Sequence, residues 1–101
     1  MIIRGTTPTL RFGLPFDADM IANGFVVIQQ GKITVVEKEL SDCECGGRTV
    51  SAKLTQEDTL ELSSEQNAEI SIVVKTTGGE RLETETPFFE RVVDTVKDGV
   101  I

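Results

Sequence analysis

Apolar residues recur at every second position over much of this chain, the period that builds strands with one face on a core. In "NAEISIVVKT", Ala68, Ile70, Ile72 and Val74 alternate with Glu69, Ser71, Val73 and Lys75, which predicts a half-buried strand. "RTVSAKL" repeats the rule with Val50, Ala52 and Leu54 inward, and "TLRFGL" does so with Leu10, Phe12 and Leu14. "GFVVIQQGKITVVEKEL" reads as a hairpin: a strand over Phe25 to Gln29, a tight turn around Gln30 and Gly31, and a longer strand over Lys32 to Leu40. In its second arm the alternation through Ile33 and Val35 changes parity to Val36 and Leu40. A β-bulge, or apolar contacts on both faces, would produce that shift.

A second hairpin is expected in "TTGGERLETET", where Gly78 and Gly79 can both adopt positive φ in a two-residue turn after a strand ending near Thr76. The return arm, with Arg81, Glu83 and Glu85 on one face, has the polar character of a sheet edge. Pro87 then breaks the ladder before a last strand in "FFERVVDTV". Two segments interrupt the strands. "DADMIANG" predicts a helical turn capped by Asp17 and ended by Asn23 or Gly24. "LTQEDTLEL" predicts another, with Thr55 and Asp58 as an acidic capping box. About seven strands, frequent turn signals and no helix long enough for a βαβ crossover give an all-β fold class: a single antiparallel β-sandwich domain over residues 1–101, Ig-like in arrangement.

Composition narrows the chemistry. The chain has 101 residues and a net charge of −7, so its field repels phosphate backbones; neither nucleic acid nor an anionic membrane is expected as a partner. Histidine, tyrosine and tryptophan are absent. No histidine exists to activate a serine or threonine, no G-x-S-x-G elbow occurs, and the Gly-Gly pairs sit in hairpins instead of between a strand and a helix. No catalytic residue, no cofactor and no enzyme activity is expected. The longest aliphatic or aromatic run, Phe25 to Ile28, is far too short to span a membrane, and the amino terminus lacks a signal-peptide pattern. The chain is expected to be cytoplasmic when synthesised. A modest apolar share, 39%, makes association with protein partners, as a homo-oligomer or otherwise, a natural expectation.

The stretch "SDCECGGR" holds both cysteines, Cys43 and Cys45. Structural zinc takes four ligands, so one chain cannot complete a site with these two; two chains meeting at this loop could. A disulfide between residues two apart would be strained and easily reduced, and the flanking Asp42 and Glu44 raise thiol pKa values, with only Arg48 opposing them. The favoured reading is a hairpin connection turned by Gly46 and Gly47. The acids Asp17 and Asp19, and Glu57, Asp58 and Glu61, lack the D-x-D-x-D-G arrangement of a calcium loop and read as helix caps and solvated surface. Phe16, Phe88 and Phe89 are the aromatic candidates for an alternative function, ligand binding or adhesion to a host-surface glycan. "MIIRG" and "ERLETET" are candidate edges for strand addition, and Val100 and Ile101 are either packed back or offered to a neighbour.

The order "MIIRGTTPTLRFGLPFD", "VVIQQGKITVVEKEL", "KLTQEDTLELS", "AEISIVVKTTGGERLETE" and a closing "DGVI" resembles a family of short prophage-encoded proteins of Gram-positive bacteria, over nearly the whole chain. More distantly it is similar to the amino-terminal β-sandwich of the upper baseplate protein of lactococcal-type phages, which attaches to the tail and holds receptor-binding proteins. "LTQEDT" followed by an alternating strand and a Gly-Gly hairpin carries most of the likeness. The resemblance implies a structural or assembly protein of a virion tail or baseplate, acting through protein–protein contacts. It carries over no functional residue.

Overall fold

The alternating strands collect into two sheets whose apolar sides face one another. The computed structural model describes residues 1–83, 88–97 and 99–101. Ten short strands occur among them: β1 (Ile2–Ile3), β2 (Thr9–Gly13), β3 (Ile21–Gln30), β4 (Ile33–Glu39), β5 (Glu44–Gly46), β6 (Thr49–Lys53), β7 (Ala68–Thr76), β8 (Arg81–Glu83), β9 (Phe88–Glu90) and β10 (Val92–Val93). One α-helix, α1 (Gln56–Leu60), and two 3-10 turns, Ala18–Met20 and Leu40–Asp42, complete the described elements.

The larger sheet runs β4-β3-β7-β8, with β9 following β8 along the same edge of β7: β8 pairs with Val73–Lys75 and β9 with Ala68–Ile70. The smaller sheet runs β2-β6-β5. All of these pairings are antiparallel. A third pair, β1 with β10, is parallel and ties the first residues to the last strand. The alternation does not reveal it, because two-residue strands carry no period.

Inward residues from both sheets form one core: Phe12, Val50, Ala52 and Leu54 from the small sheet and its exit, and Val26, Ile28, Val36, Ala68, Ile70 and Val74 from the large one. Ile2, Leu40, Leu62 and Val92 close its ends. This is the all-β sandwich that the alternation predicts, with inward and outward positions on β2, β6 and β7 as expected.

Boundaries differ in instructive ways. Asp17 stands at the helix-start position, but its side chain makes no cap; the helical turn covers only Ala18–Met20, and β3 begins at Ile21. Gly24, expected to end that turn, sits inside β3 because Leu40 fills the space beside it: a Cβ there would lie 2.6 Å from Leu40 Cδ1 and 2.8 Å from the Val73 carbonyl. The first hairpin turns at Gly31 and Lys32, both at positive φ (59° and 69°), instead of at Gln30 and Gly31. That pattern is a type I′ turn. In the second hairpin only Gly79 has positive φ; the Thr76 N–H donates to the Glu80 carbonyl and Gly79 N–H to the Thr76 carbonyl, a three-residue loop with glycine in the left-handed position. The parity change in β4 is a bulge. Ile28 pairs with Val36 and Gln29 with Thr34, leaving Val35 as the extra residue. The Thr55–Asp58 capping box forms in both directions. Glu85 and Pro87 lie outside the described residues.

Two buried polar side chains hold loops onto the core. Gln30 Nε2 donates to the Ser63 and Gln66 carbonyls at 2.8 and 3.0 Å, and its Oε1 accepts from the Ser63 N–H at 2.8 Å. Thr59 Oγ1 donates to the Thr6 carbonyl at 2.8 Å and accepts from the Gly5 N–H at 2.9 Å. Arg4 binds the carbonyls of Leu60 and Leu62 at the end of α1 and pairs with Asp94 at 2.6 Å, which holds the Asp94 carboxyl below its usual range.

Candidate interaction face

β3 and β7 lie inside the large sheet, so their outward residues should be polar if that face meets only water. They are not. Phe25, Val27 and Val73 point outward and are half-buried, and Phe25 and Val73 are direct cross-strand partners. Together they floor a shallow depression of about 380 Å³ walled by Asn23, Glu37, Lys75 and Arg81.

The register fixes where each charge stands. Taking residues of one parity across β4, β3, β7 and β8, one row reads Asn23, Lys75, Arg81; the next reads Glu39, Phe25, Val73, Glu83; the third reads Glu37, Val27, Ser71. Glu37 and Glu39 stand on the β4 side, the bases Lys75 and Arg81 at one end of β7 and β8, and Glu83 next to Arg81 on β8. Arg81 also pairs with Glu83 at 2.8 Å along its own strand, both side chains being well exposed. Phe89, paired with Glu69, extends the same face two rows beyond Val73 and is 63% exposed.

The aromatic candidates do not share one surface. Phe88 turns to the opposite side of β9 and packs against Phe12 with ring centroids 5.8 Å apart. Phe16 lines a lateral cleft of about 350 Å³ with Leu14, Ile72 and Leu82, where the two sheets part. Only Phe89 joins the outer face.

The cysteines lie at the far edge of the small sheet. Cys45 is on β5, Cys43 just before it, and both are free thiols, their Sγ atoms donating to the Leu40 carbonyl at 3.8 Å and the Glu39 carbonyl at 3.5 Å. Burial pushes the Cys43 thiol pKa up, and Cys45 and Asp42 add to the rise against Lys38. Gly47, at positive φ, turns β5 into β6. Among the described residues no group of three or more His, Cys, Asp and Glu side chains is placed to hold a metal ion.

Two of the acidic positions, Asp17 and Asp58, serve local structure. Asp17 meets Arg48 at 3.4 Å. Asp58 accepts the Thr55 backbone N–H and pairs with Lys38 of β4 at 2.7 Å; burial raises its pKa, but Lys38 and Thr55 outweigh that and the carboxyl titrates below its usual range. The backbone of Ile101 is held by Gln56, while the side chains of Val100 and Ile101 remain exposed. Among the described residues no helix is long and apolar enough to cross a membrane.

Comparison with protein-family models, curated proteins and solved structures finds no match to this chain.

The outer face was within reach of sequence reading. "FVVI" and "SIVV" each put apolar residues on both sides of a strand, and that doubling is the signal of a sheet covered twice.

Proposed function

We propose that this chain is a non-enzymatic assembly module, a β-sandwich that works by protein–protein contact, in the tail or baseplate of a phage or prophage virion. The observation that carries the contact role is the outer face of the large sheet. Three apolar side chains, Phe25, Val27 and Val73, point outward and are only partly buried among the described residues, with Glu37 and Glu39 to one side and Lys75 and Arg81 to the other. A face of this kind gains from a partner that removes its apolar area from water and is oriented by its charges.

The virion setting rests on the sequence resemblance. Its test is mass spectrometry of particles purified from an induced lysogen carrying this sequence. The expected result is the chain at a fixed ratio to the tail proteins. Its presence in the cells but absence from washed particles would overturn the virion assignment.

A further inference from the structure

The geometry points to the free edge of β2 as the place where an extended segment of a partner protein adds as one more strand of the small sheet. That segment is apolar at alternate positions and carries a carboxylate between them. The contact is separate from the outer face of the large sheet and does not depend on the virion setting.

The large sheet reaches further than the small one. On β7, Ile70 and Val74 face the core and are 2% and 4% exposed; their partners on the neighbouring strands, Phe88 on β9 and Leu82 on β8, face the same way but are 51% and 37% exposed. β2 is the last strand of the small sheet on this side. Phe12 meets the Phe88 ring, and Gly13 to Phe16 share the lateral cleft with Ile72 and Leu82. A strand added beyond β2 extends the inner layer toward Leu82 and Phe88.

The backbone of β2 is open on that side. The Leu54 N–H donates to the Pro8 carbonyl and the Leu14 N–H to the Arg48 carbonyl, so it is Leu10 and Phe12 that bond to β6. The N–H and C=O groups of Thr9, Arg11 and Gly13 point the other way and have no partner among the described residues, and all three residues are exposed. Sheet edges are ordinarily guarded by bulges, prolines, short strands or charges. β4 has its bulge at Val35 and β5 is three residues long, whereas β2 runs five residues without a register shift and carries one charge, Arg11.

That charge selects the occupant. Arg11 makes no ion pair among the described residues, in a chain of net charge −7. On its face of the sheet Ser51 stands beside it, Glu44 beyond Ser51, and Lys53 beside Thr9. β2 of a second copy is a poor occupant. The antiparallel register that uses all three open residues sets Arg11 opposite Arg11, and a shift by two leaves Thr9 or Gly13 without its β2 partner. A segment with Glu or Asp opposite Arg11 keeps all three pairings, and the residues on either side of that acid face inward.

Three fluorescein-labelled heptapeptides test this: VTVEVTV, VTVKVTV and STSESTS, each reading the same in both directions so that strand polarity does not matter. Fluorescence anisotropy against the full chain should show VTVEVTV bound saturably at or below about 1 mM. VTVKVTV should bind at least about threefold more weakly, because its lysine faces Arg11. STSESTS should bind at least about tenfold more weakly, because it brings no apolar side chain to the inner layer. Arg11→Glu should reverse the preference between the first two peptides; circular dichroism confirms that the variant is folded, and if it is not, Arg11→Gln takes its place and should bind the two alike. Amide hydrogen exchange locates the contact: the N–H groups of Thr9, Arg11 and Gly13 should become slow on saturation with VTVEVTV, while those of Leu10 and Phe12 are slow already. No saturable binding, a wild-type chain that does not distinguish VTVEVTV from either other peptide, a folded Arg11 variant with the wild-type preference, or protection that appears elsewhere than on β2 would each overturn the proposal.

Discussion

The two faces of the large sheet are built by the same strands and the same alternation, yet they end in different conditions. On the inner face Val26, Ile28 and Ile70 are almost fully buried, in one core with inward residues of the small sheet. On the outer face Phe25, Val27 and Val73 are of similar apolar character and are only partly buried, with no third layer over them among the described residues. The strand period decides which residues share a face. It does not decide whether the covering layer belongs to the same chain.

That contrast predicts unequal costs for truncating neighbouring side chains of one strand to alanine. Ile28→Ala should cost about 2–5 kcal/mol, since it leaves a cavity in a packed core. Val27→Ala, one residue away on the other face, should cost about 1 kcal/mol or less in the monomer, because that side chain is only partly buried. Urea unfolding at low protein concentration measures both. Equal costs would mean that the outer face is packed like a core, and the contrast would fail.

A smaller effect tests how the inner face ends. Gln30 has the inward parity of Val26 and Ile28 but spends its amide on three backbone groups of the loop at Ser63 to Gln66. Gln30→Leu removes those partners from part-buried backbone groups, with an expected loss of about 1–3 kcal/mol despite the more apolar side chain. A neutral or stabilising result in the same unfolding assay would show that water takes over the bonds.

Much of the sandwich was legible because burial and periodicity are local: Val50, Ala52 and Leu54, or Ala68, Ile70 and Val74, announce their faces within six or seven residues. The Thr55–Asp58 box was legible for the same reason. What sequence left hidden depends on contacts distant along the chain. Gly24 is required by Leu40 packed beside it, Gln30 is buried because of a loop more than thirty positions later, and Ile2–Ile3 pairs with Val92–Val93 from the other end of the chain. The candidate face was hidden differently. Its apolar residues were visible in "FVVI" and "SIVV", but the charges that flank them appear only when the register places Glu37 beside Val27 and Arg81 beside Lys75.

The smallest effect concerns the edge where the inner face meets charge. Lys38 has the inward parity of Val36, and its ammonium reaches Asp58 at the start of α1 instead of the core. Since the Asp58 carboxyl titrates below its usual range in the folded chain, its contribution to stability is fully present above the unfolded value, about 3.9, and fades as pH falls through the lower folded value. Lys38→Met takes away one of the groups that lower that pKa. The expected outcome, read from melting temperatures between pH 6 and pH 3, is a variant whose stability declines less on acidification than wild type, by an amount on the order of a surface ion pair's worth, about 1 kcal/mol or less. Parallel pH profiles would mean that the Thr55 cap alone lowers the Asp58 pKa, and that β4 is held to α1 by packing instead of charge.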